Sequence, residues 1–179
     1  MSSYIQDLLG NRRDASCIRR GLWMGSRPAP ENVRDFDAIV FCAEEFQPAA
    51  SKYPWAKIIR ARLYDEDLSS DEARAAIKAA MDAADAIDAG GKVLVTCNAG
   101  SNRSGLVVAL TMGILDPNLS PDRAIKIIRE KRKLPKETKR EFDYPYAMVN
   151  SDYNEWLRTK GPKVRDYMLE HDGKFPPWL

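Results

Sequence analysis

Short apolar runs, bounded by polar residues, glycine or proline, recur through the first part of this chain. The run Asp37–Ala43 is representative, because it is too short and too β-branched for a buried helix. The same pattern predicts strands over Cys17–Arg19, Leu22–Gly25, Asp37–Ala43, Ala56–Leu63 and Val93–Val95.

A long amphipathic segment lies between the fourth and fifth predicted strands. Ser69 and Glu72 have the spacing of a capping box, and the apolar residues that follow form one stripe until Gly90-Gly91 ends the helix. Proline in the first turn predicts helices over Pro30–Phe36 and from Ser120 to about Arg132. The apolar run Leu106–Leu110 also predicts a helix, and we expect a further one over roughly Tyr146–Arg158.

This order of strands and helices predicts an α/β fold, in which a central sheet carries helices on both faces. The length of 179 residues suits a single domain over residues 1–179. The apolar cluster Tyr4–Leu9 is a candidate docking helix. Residues 161–179 form an aromatic tail that we expect to pack on the body of the protein.

The net charge of +2 and ordinary apolar and charged fractions predict a globular protein without a polyanionic partner. No apolar run approaches the roughly 20 residues that span a bilayer, and the N-terminus lacks a signal-peptide pattern. Three widely spread cysteines argue against a disulfide framework, so we expect a reducing, cytoplasmic setting. With one histidine, His171, and no cysteine pair at metal-ligand spacing, we expect no metal or cofactor.

The segment Cys97–Gly105 lies between the apolar runs Val93–Val95 and Leu106–Leu110. A turn from strand to helix presents successive backbone N–H groups and a helix N-terminus to one point, which favours an anion. The same dipoles stabilise the thiolate of Cys97, and Arg103 supplies a planar pair of donors for two phosphate oxygens. A nucleophile, an anion cradle and a bidentate cation are the parts of a phosphoryl-transfer site.

This segment resembles the signature of the cysteine-based protein tyrosine phosphatase superfamily, and of its small dual-specificity branch above all. The signature is His-Cys-x-x-Gly-x-x-Arg-Ser/Thr, and residues 96–104 are Thr-Cys-Asn-Ala-Gly-Ser-Asn-Arg-Ser. The resemblance covers roughly residues 15–160, the core of the domain, and implies a mixed, mostly parallel sheet with the loop at the C-terminal end of its middle strand. It implies Cys97 as nucleophile, Arg103 as phosphate-binding cation and Ser104 as the hydroxyl that hydrogen-bonds the sulfur. The substrate-binding residues that it implies are Asn98, Ala99, Gly100, Ser101, Asn102 and Arg103.

Thr96 is the one departure from this signature, which has histidine at that position. In the family, the histidine helps to orient the loop and supports ionisation of the cysteine. Threonine supplies a hydroxyl but no positive charge. We therefore expect weaker electrostatic stabilisation of the Cys97 thiolate than in relatives with histidine.

The leaving oxygen of a phosphate ester needs a proton, and no histidine lies near the loop in the sequence to supply it. The resemblance implies an aspartate on a loop upstream of the cysteine. Asp65 fits, since it lies 32 residues before Cys97 and directly follows the fourth predicted strand. Glu66 and Asp67 are neighbours, and Asp67 is the second candidate. A solvated acidic loop is the alternative interpretation of these three residues.

The resemblance implies a phosphomonoester hydrolase. A short chain without an aromatic recognition loop implies a shallow pocket, open to phosphotyrosine and to phosphoserine or phosphothreonine. We thus expect a phosphorylated protein as partner, phosphate or sulfate as occupants of the loop, and no membrane. The uncharged loop residues argue against a phosphoinositide as substrate. The basic segment 129–140 leaves RNA 5′-triphosphatase activity as an alternative function. The alternative to an enzyme is a non-catalytic phosphate-binding module. Thr96 supports this alternative, since some members of the superfamily have lost activity through changes in the loop.

Three further features have two interpretations each. Arg27 is either solvated or turned toward the phosphate pocket. The segment 129–140, with seven Lys or Arg against two Glu, is either a solvated helix end and loop or a basic platform for an anionic substrate. Cys42 is either a buried free thiol or the partner of Cys97 in a reversible disulfide, as in some relatives.

Overall fold

One five-stranded sheet organises residues 13–179, the part of the chain that the computed structural model describes. Its strands are β1 (Ala15–Arg19), β2 (Leu22–Gly25), β3 (Ala38–Ala43), β4 (Lys57–Leu63) and β5 (Val93–Thr96). Their order across the sheet is β1-β2-β5-β3-β4, with β1 antiparallel to β2 and the other pairs parallel. The predicted mixed, mostly parallel sheet is confirmed. The candidate docking helix at Tyr4–Leu9 lies outside the described residues.

Helices cover this sheet throughout the described residues. The α-helices are α1 (Ser70–Asp88), α2 (Asn102–Leu115), α3 (Pro121–Lys131), α4 (Lys136–Phe142), α5 (Ser151–Thr159) and α6 (Gly161–Glu170). Two short 3-10 helices span Pro30–Asn32 and Ala50–Lys52. Within residues 13–179, no helix is both long and apolar enough to cross a membrane.

Two predicted helices need correction. The helix expected over Pro30–Phe36 is only the 3-10 turn Pro30–Asn32, because the residues after it enter the core at Val33 and Phe36. The helix expected from Tyr146 starts later, as α5. Its N-cap is Asn150, whose side chain accepts hydrogen bonds from two amides of the first turn, and this cap fixes where the helix begins.

The capping box at the start of α1 is confirmed. Ser69 Oγ accepts a hydrogen bond from the Glu72 amide, and the Glu72 carboxylate accepts one from the Ser69 amide, both at 3.2 Å. The same carboxylate also accepts from the Tyr64 amide at 2.8 Å. Glu72 therefore ties the beginning of the helix to the chain that leaves β4. The apolar stripe of α1 is buried at Ala73, Ala76, Ile77, Ala79, Ala80, Ala83 and Ala84.

Side chains of β3 alternate between two apolar clusters, as a strand buried on both faces requires. Val40 and Cys42 belong to the larger cluster, which the α-helices complete. Ile39 and Phe41 belong to the smaller cluster, where Tyr53 packs beside the second 3-10 helix. The predicted α/β sheet flanked by helices is thus confirmed, with α-helices packed against one face. Val33, Phe36 and Tyr53, which follow the two 3-10 helices, pack on the other face.

The tail packs on the α-helical layer. Val164 of α6 and Leu179 are buried in the larger cluster, and Met168 and Phe175 pack against it. Trp178 stays about half exposed, at 52%. The aromatic pattern therefore predicts the docking of the tail, although not the helix α6 within it.

Candidate active site

The loop Cys97–Ser101 lies at the edge of the sheet where the middle strand ends. Thr96 is the last residue of β5, and Asn102 is the first of α2. The parallel neighbours of β5 end beside it, β2 at Gly25 and β3 at Ala43. This is the turn from strand to helix that the apolar pattern predicts.

Cys97 is buried in this loop, with 4% of its surface exposed. Its Sγ lies 3.2 Å from Oγ of Ser104, which is fully buried in the first turn of α2. A serine hydroxyl has one hydrogen to donate, and the sulfur is within its reach. The contact agrees with the role that the resemblance implies for Ser104.

The Arg103 guanidinium is held by a carboxylate that sequence reasoning missed. Glu45, in the loop after β3, accepts hydrogen bonds from Nη1 and Nη2 of Arg103 at 2.6 and 2.7 Å. Nη1 also donates to the Leu63 carbonyl at 3.2 Å. Nε is buried without a hydrogen-bond partner among the described residues. That donor is available to an anion in the loop.

This ion pair shifts the pKa of both partners. Burial by itself lowers the pKa of Arg103, but hydrogen bonding to Glu45 and the charges of Cys97 and Asp65 outweigh burial and raise it. The pKa of Glu45 is lowered, chiefly by hydrogen bonds from Arg103. Both groups are charged at neutral pH. The one sequence signal for Glu45 is its position just after a buried strand that ends beside the loop.

Asp65 is the acidic residue that the fold brings to the loop. Asn102 donates from Nδ2 to Oδ2 of Asp65 at 3.0 Å. Asn150 donates to the other oxygen at 3.0 Å, and the Tyr144 hydroxyl lies 3.3 Å from Oδ2. Donors from three separate parts of the chain therefore fix this carboxyl group beside the anion loop.

The three donors are themselves held in place. Asn102 Oδ1 accepts a hydrogen bond from the Asn150 amide at 3.0 Å, and Asn102 Nδ2 lies 3.2 Å from the Tyr144 hydroxyl. Burial, followed by the charge of Asp65, raises the pKa of Tyr144 to about 12. Tyr144 is therefore protonated at neutral pH and can donate to Asp65. Sequence reasoning missed Tyr144 and Asn150, since both are distant from the loop along the chain.

The neighbouring acidic residues point elsewhere. Asp67 lies beside Asp152 at the start of α5, and the interaction with Asp67 raises the pKa of Asp152. Glu66 is exposed, and its backbone carbonyl lies 3.4 Å from Asn150 Nδ2. Among these three side chains, Asp65 alone has a hydrogen bond, within residues 13–179, to the helix turn that follows the loop.

Thr96 uses its hydroxyl within the sheet. Oγ1 donates to the carbonyl of Val40 on β3 at 2.9 Å, and the side chain is buried. The threonine therefore joins β5 to β3 at the point where the loop begins. Its single hydroxyl hydrogen is committed to that carbonyl.

The remaining loop residues are packed closely. Gly100 has a φ of +66°, and a Cβ there would lie 2.5 Å from the backbone carbon of Gly25 and from a guanidinium nitrogen of Arg132. Only glycine fits this position. Ser101 Oγ accepts a hydrogen bond from the Met148 amide at 3.2 Å. Ala99 is buried, while Asn98 is partly exposed and has a buried Oδ1 with no partner in the described part of the chain.

Two of the open alternatives are now decided in part. Arg27 lies at the site, 4.0 Å from Glu45, with its guanidinium 4.6 Å from the centre of the Phe46 ring. Burial lowers the pKa of Arg27. The charges of Glu45 and Cys97 raise this pKa and that of Arg103 lowers it, and the net shift is downward. In the segment 129–140, the interpretation as solvated chain was wrong for Arg132, which is buried against the loop.

Cys42 and Cys97 lie at the ends of neighbouring strands, because Phe41 of β3 is paired with Thr96 of β5. Both cysteines are free thiols. Cys17 is an exposed free cysteine on β1.

Solved structures share this fold. A scan against protein-family models found no match, and a search of curated proteins found none. The crystal structure of Tk-PTP in its active form matches with a TM-score of 0.67 and 21% identity, over 85% of this chain and 97% of that chain. Human DUSP28 matches with a TM-score of 0.67 and 19% identity, over 86% and 97%. A mouse putative dual specificity phosphatase complexed with zinc tungstate also matches with a TM-score of 0.67 and 19% identity, over 90% and 97%.

These matches define the fold of the chain. It is the fold of the cysteine-based protein tyrosine phosphatases. Within that class, it is the form found in the dual-specificity phosphatases, as the resemblance of residues 96–104 predicted.

We predict that peroxide does not join Cys42 to Cys97. Burial, followed by the charge of Cys97, raises the pKa of Cys42 well above its ordinary value. Cys42 is therefore protonated at neutral pH and attacks an oxidised Cys97 slowly. Mass spectrometry after peroxide treatment should find oxidised Cys97 with little bridged peptide, and Cys42→Ser should oxidise at Cys97 to the same extent. A predominant Cys42–Cys97 disulfide would contradict this prediction.

Proposed function

We propose that this protein is a cysteine-dependent phosphatase that hydrolyses phosphomonoesters through a phosphocysteine intermediate. The observation that carries the proposal is the hydrogen bond from Asn102 to Asp65, because Asn102 precedes Arg103 in the first turn of the helix that follows the Cys97 loop. A nucleophile, a cation for phosphate oxygens and a carboxyl group for proton transfer thus occupy one edge of the sheet.

In the first step, the Cys97 thiolate attacks phosphorus in line. The S–P bond forms, the bond from phosphorus to the leaving oxygen breaks, and Asp65 gives its proton to that oxygen. The loop amides and the Arg103 guanidinium would hold the three equatorial oxygens, where negative charge is concentrated. The ion pair with Glu45 keeps the guanidinium oriented for this role.

In the second step, water attacks the phosphocysteine. Asp65, now a carboxylate, takes a proton from that water, the S–P bond breaks and inorganic phosphate is released. The electron pair of the S–P bond returns to sulfur as a thiolate. Ser104, 3.2 Å from Sγ, donates a hydrogen bond that stabilises this leaving thiolate.

The substrate that we favour is a phosphorylated protein carrying phosphotyrosine or phosphoserine/threonine. Support comes from the loop sequence and from the fold shared with dual-specificity phosphatases. One of these relatives is complexed with zinc tungstate, and an oxyanion of that kind fits a loop built for phosphate. The exposed basic residues of the segment 129–140 are the observation that favours the second candidate, a triphosphate end of RNA.

We expect Cys97→Ser to reduce hydrolysis of an aryl phosphate to background, since serine is a far weaker nucleophile at neutral pH. Release of inorganic phosphate from p-nitrophenyl phosphate measures the rate. Cys17→Ser is the matched control, because Cys17 lies exposed on β1, and it should keep wild-type activity. Phosphate binding without turnover in the wild-type protein would favour the non-catalytic module instead.

We expect Asp65→Asn to lower kcat by roughly 10²-fold or more on alkyl phosphates, and much less on aryl phosphates, whose leaving groups need little protonation. Asp67→Asn is the matched control. It should remain close to wild type, since Asp67 contacts Asp152 rather than the loop. The assignment of the acid is wrong if Asp67→Asn shows the leaving-group dependence and Asp65→Asn does not.

Comparison of kcat/KM on three substrate classes tests the proposed substrate. We expect phosphopeptides to be hydrolysed faster than a 5′-triphosphate RNA or a phosphoinositide, because the loop residues outside Cys97 and Arg103 are uncharged. Each substrate is assayed with wild type and with Cys97→Ser, so that contaminating activity is subtracted. A preference for the triphosphate RNA would support the second candidate.

A further inference from the structure

Arg132 is a charged side chain buried completely behind the loop. It follows directly after α3, and its side chain has 0% exposure in its ion pair with Asp14. Asp14 accepts hydrogen bonds from both terminal nitrogens, at 2.7 and 2.8 Å, and is itself only 8% exposed. Ser16 is a further partner of this arginine, at 3.3 Å. Because the carboxylate neutralises the guanidinium, this pair adds little net charge to the site.

The other bonds of Arg132 reach the anion loop itself. Nε donates to the carbonyl of Gly100 at 2.8 Å, and Nη2 donates to the carbonyl of Ala99 at 3.3 Å. In a trans peptide, the carbonyl and the following N–H point in opposite directions. Two carbonyls turned toward Arg132 therefore turn the amides of Gly100 and Ser101 toward the opposite side, where an anion would sit.

The site fits a guanidinium and no other side chain. A planar fork of five donors can serve two carbonyls and a carboxylate at once, whereas an ammonium is a point charge on a flexible stem. The Arg132 guanidinium packs closely against Gly100, because a Cβ at Gly100 would lie only 2.5 Å from Nη2 of Arg132.

We propose that Arg132, held by Asp14, is a positioning residue that orients the peptide planes of Ala99 and Gly100 and thereby sets the affinity of the loop for phosphate. The inference rests on the proposed function only in taking phosphate as the anion of the loop. Arg132 acts through the backbone and touches no substrate.

The test measures the Kd of inorganic phosphate by calorimetry, with Arg132→Lys as the key variant. Lysine keeps a positive charge for Asp14, so the fold is retained, but it cannot hold both carbonyls. We expect phosphate binding to weaken about tenfold or more, as loss of a hydrogen bond to a charged group requires. Lys131→Met is the matched control: it removes a neighbouring exposed charge and should stay within about twofold of wild type.

A second pair of variants separates positioning from stability. Asp14→Asn/Arg132→Met removes both buried charges, and we expect the same loss of phosphate affinity together with a raised KM and a smaller change in kcat. Asp14→Asn alone leaves the bonds from Arg132 to the loop and should lower the thermal midpoint more than the affinity. Folded Arg132→Lys and double variants that bind phosphate within twofold of wild type would overturn the inference.

The two proposals fail in different ways. If wild type binds phosphate but hydrolyses no ester, the proposed function fails while the binding data still decide the inference. If wild type is active and both Arg132 variants bind phosphate normally, the inference alone is overturned.

Discussion

A loop that turns its amide hydrogens toward an anion must turn its carbonyl oxygens the other way, and buried carbonyls need donors. In this fold, Arg132 at the end of α3 donates hydrogen bonds to the carbonyls of Ala99 and Gly100. The loop is also tied to the sheet, because the Cys97 amide donates to the Gly25 carbonyl of β2 at 3.3 Å. The donor side chain is in turn anchored by Asp14, just before β1. The anion site therefore depends on the sheet edge and the end of one helix as much as on its own residues.

The two buried arginines at the loop are compensated differently. The Arg132 side chain is fully buried and that of Asp14 is only 8% exposed, so loss of either partner leaves a largely buried charge without compensation. Arg103 is buried, but its partner Glu45 keeps 44% of its side chain exposed. Nε of Arg103 has no hydrogen-bond partner in the described part of the chain, so it can donate to an anion while Nη1 and Nη2 stay bonded to Glu45. One pair therefore holds the loop, while the other orients an arginine that keeps a donor for phosphate.

The features that could be predicted from the sequence depend on residues that are close together along the chain. The strands follow from short apolar runs, the start of α1 from its capping box, and the loop from the residue types between Cys97 and Gly105. Glu45, Arg132 and Asn150 were missed, because each reaches the site from a distant part of the chain. Arg132 was missed for a further reason. A lysine-rich and arginine-rich segment predicts solvation on average, and composition does not reveal which one of its cations is buried.

The carboxylate of Glu72 serves two structures at once. It closes the first turn of α1 at Ser69, and it accepts the amide of Tyr64, the residue before Asp65. Helix ends fray with small opening free energies, and such local openings release whatever is bonded to them. Fraying of this helix end would therefore also free the Tyr64 amide, while Asn102, Tyr144 and Asn150 still hold the Asp65 carboxylate. A helix turn that contains no part of the anion loop thus supports the backbone just before the candidate acid.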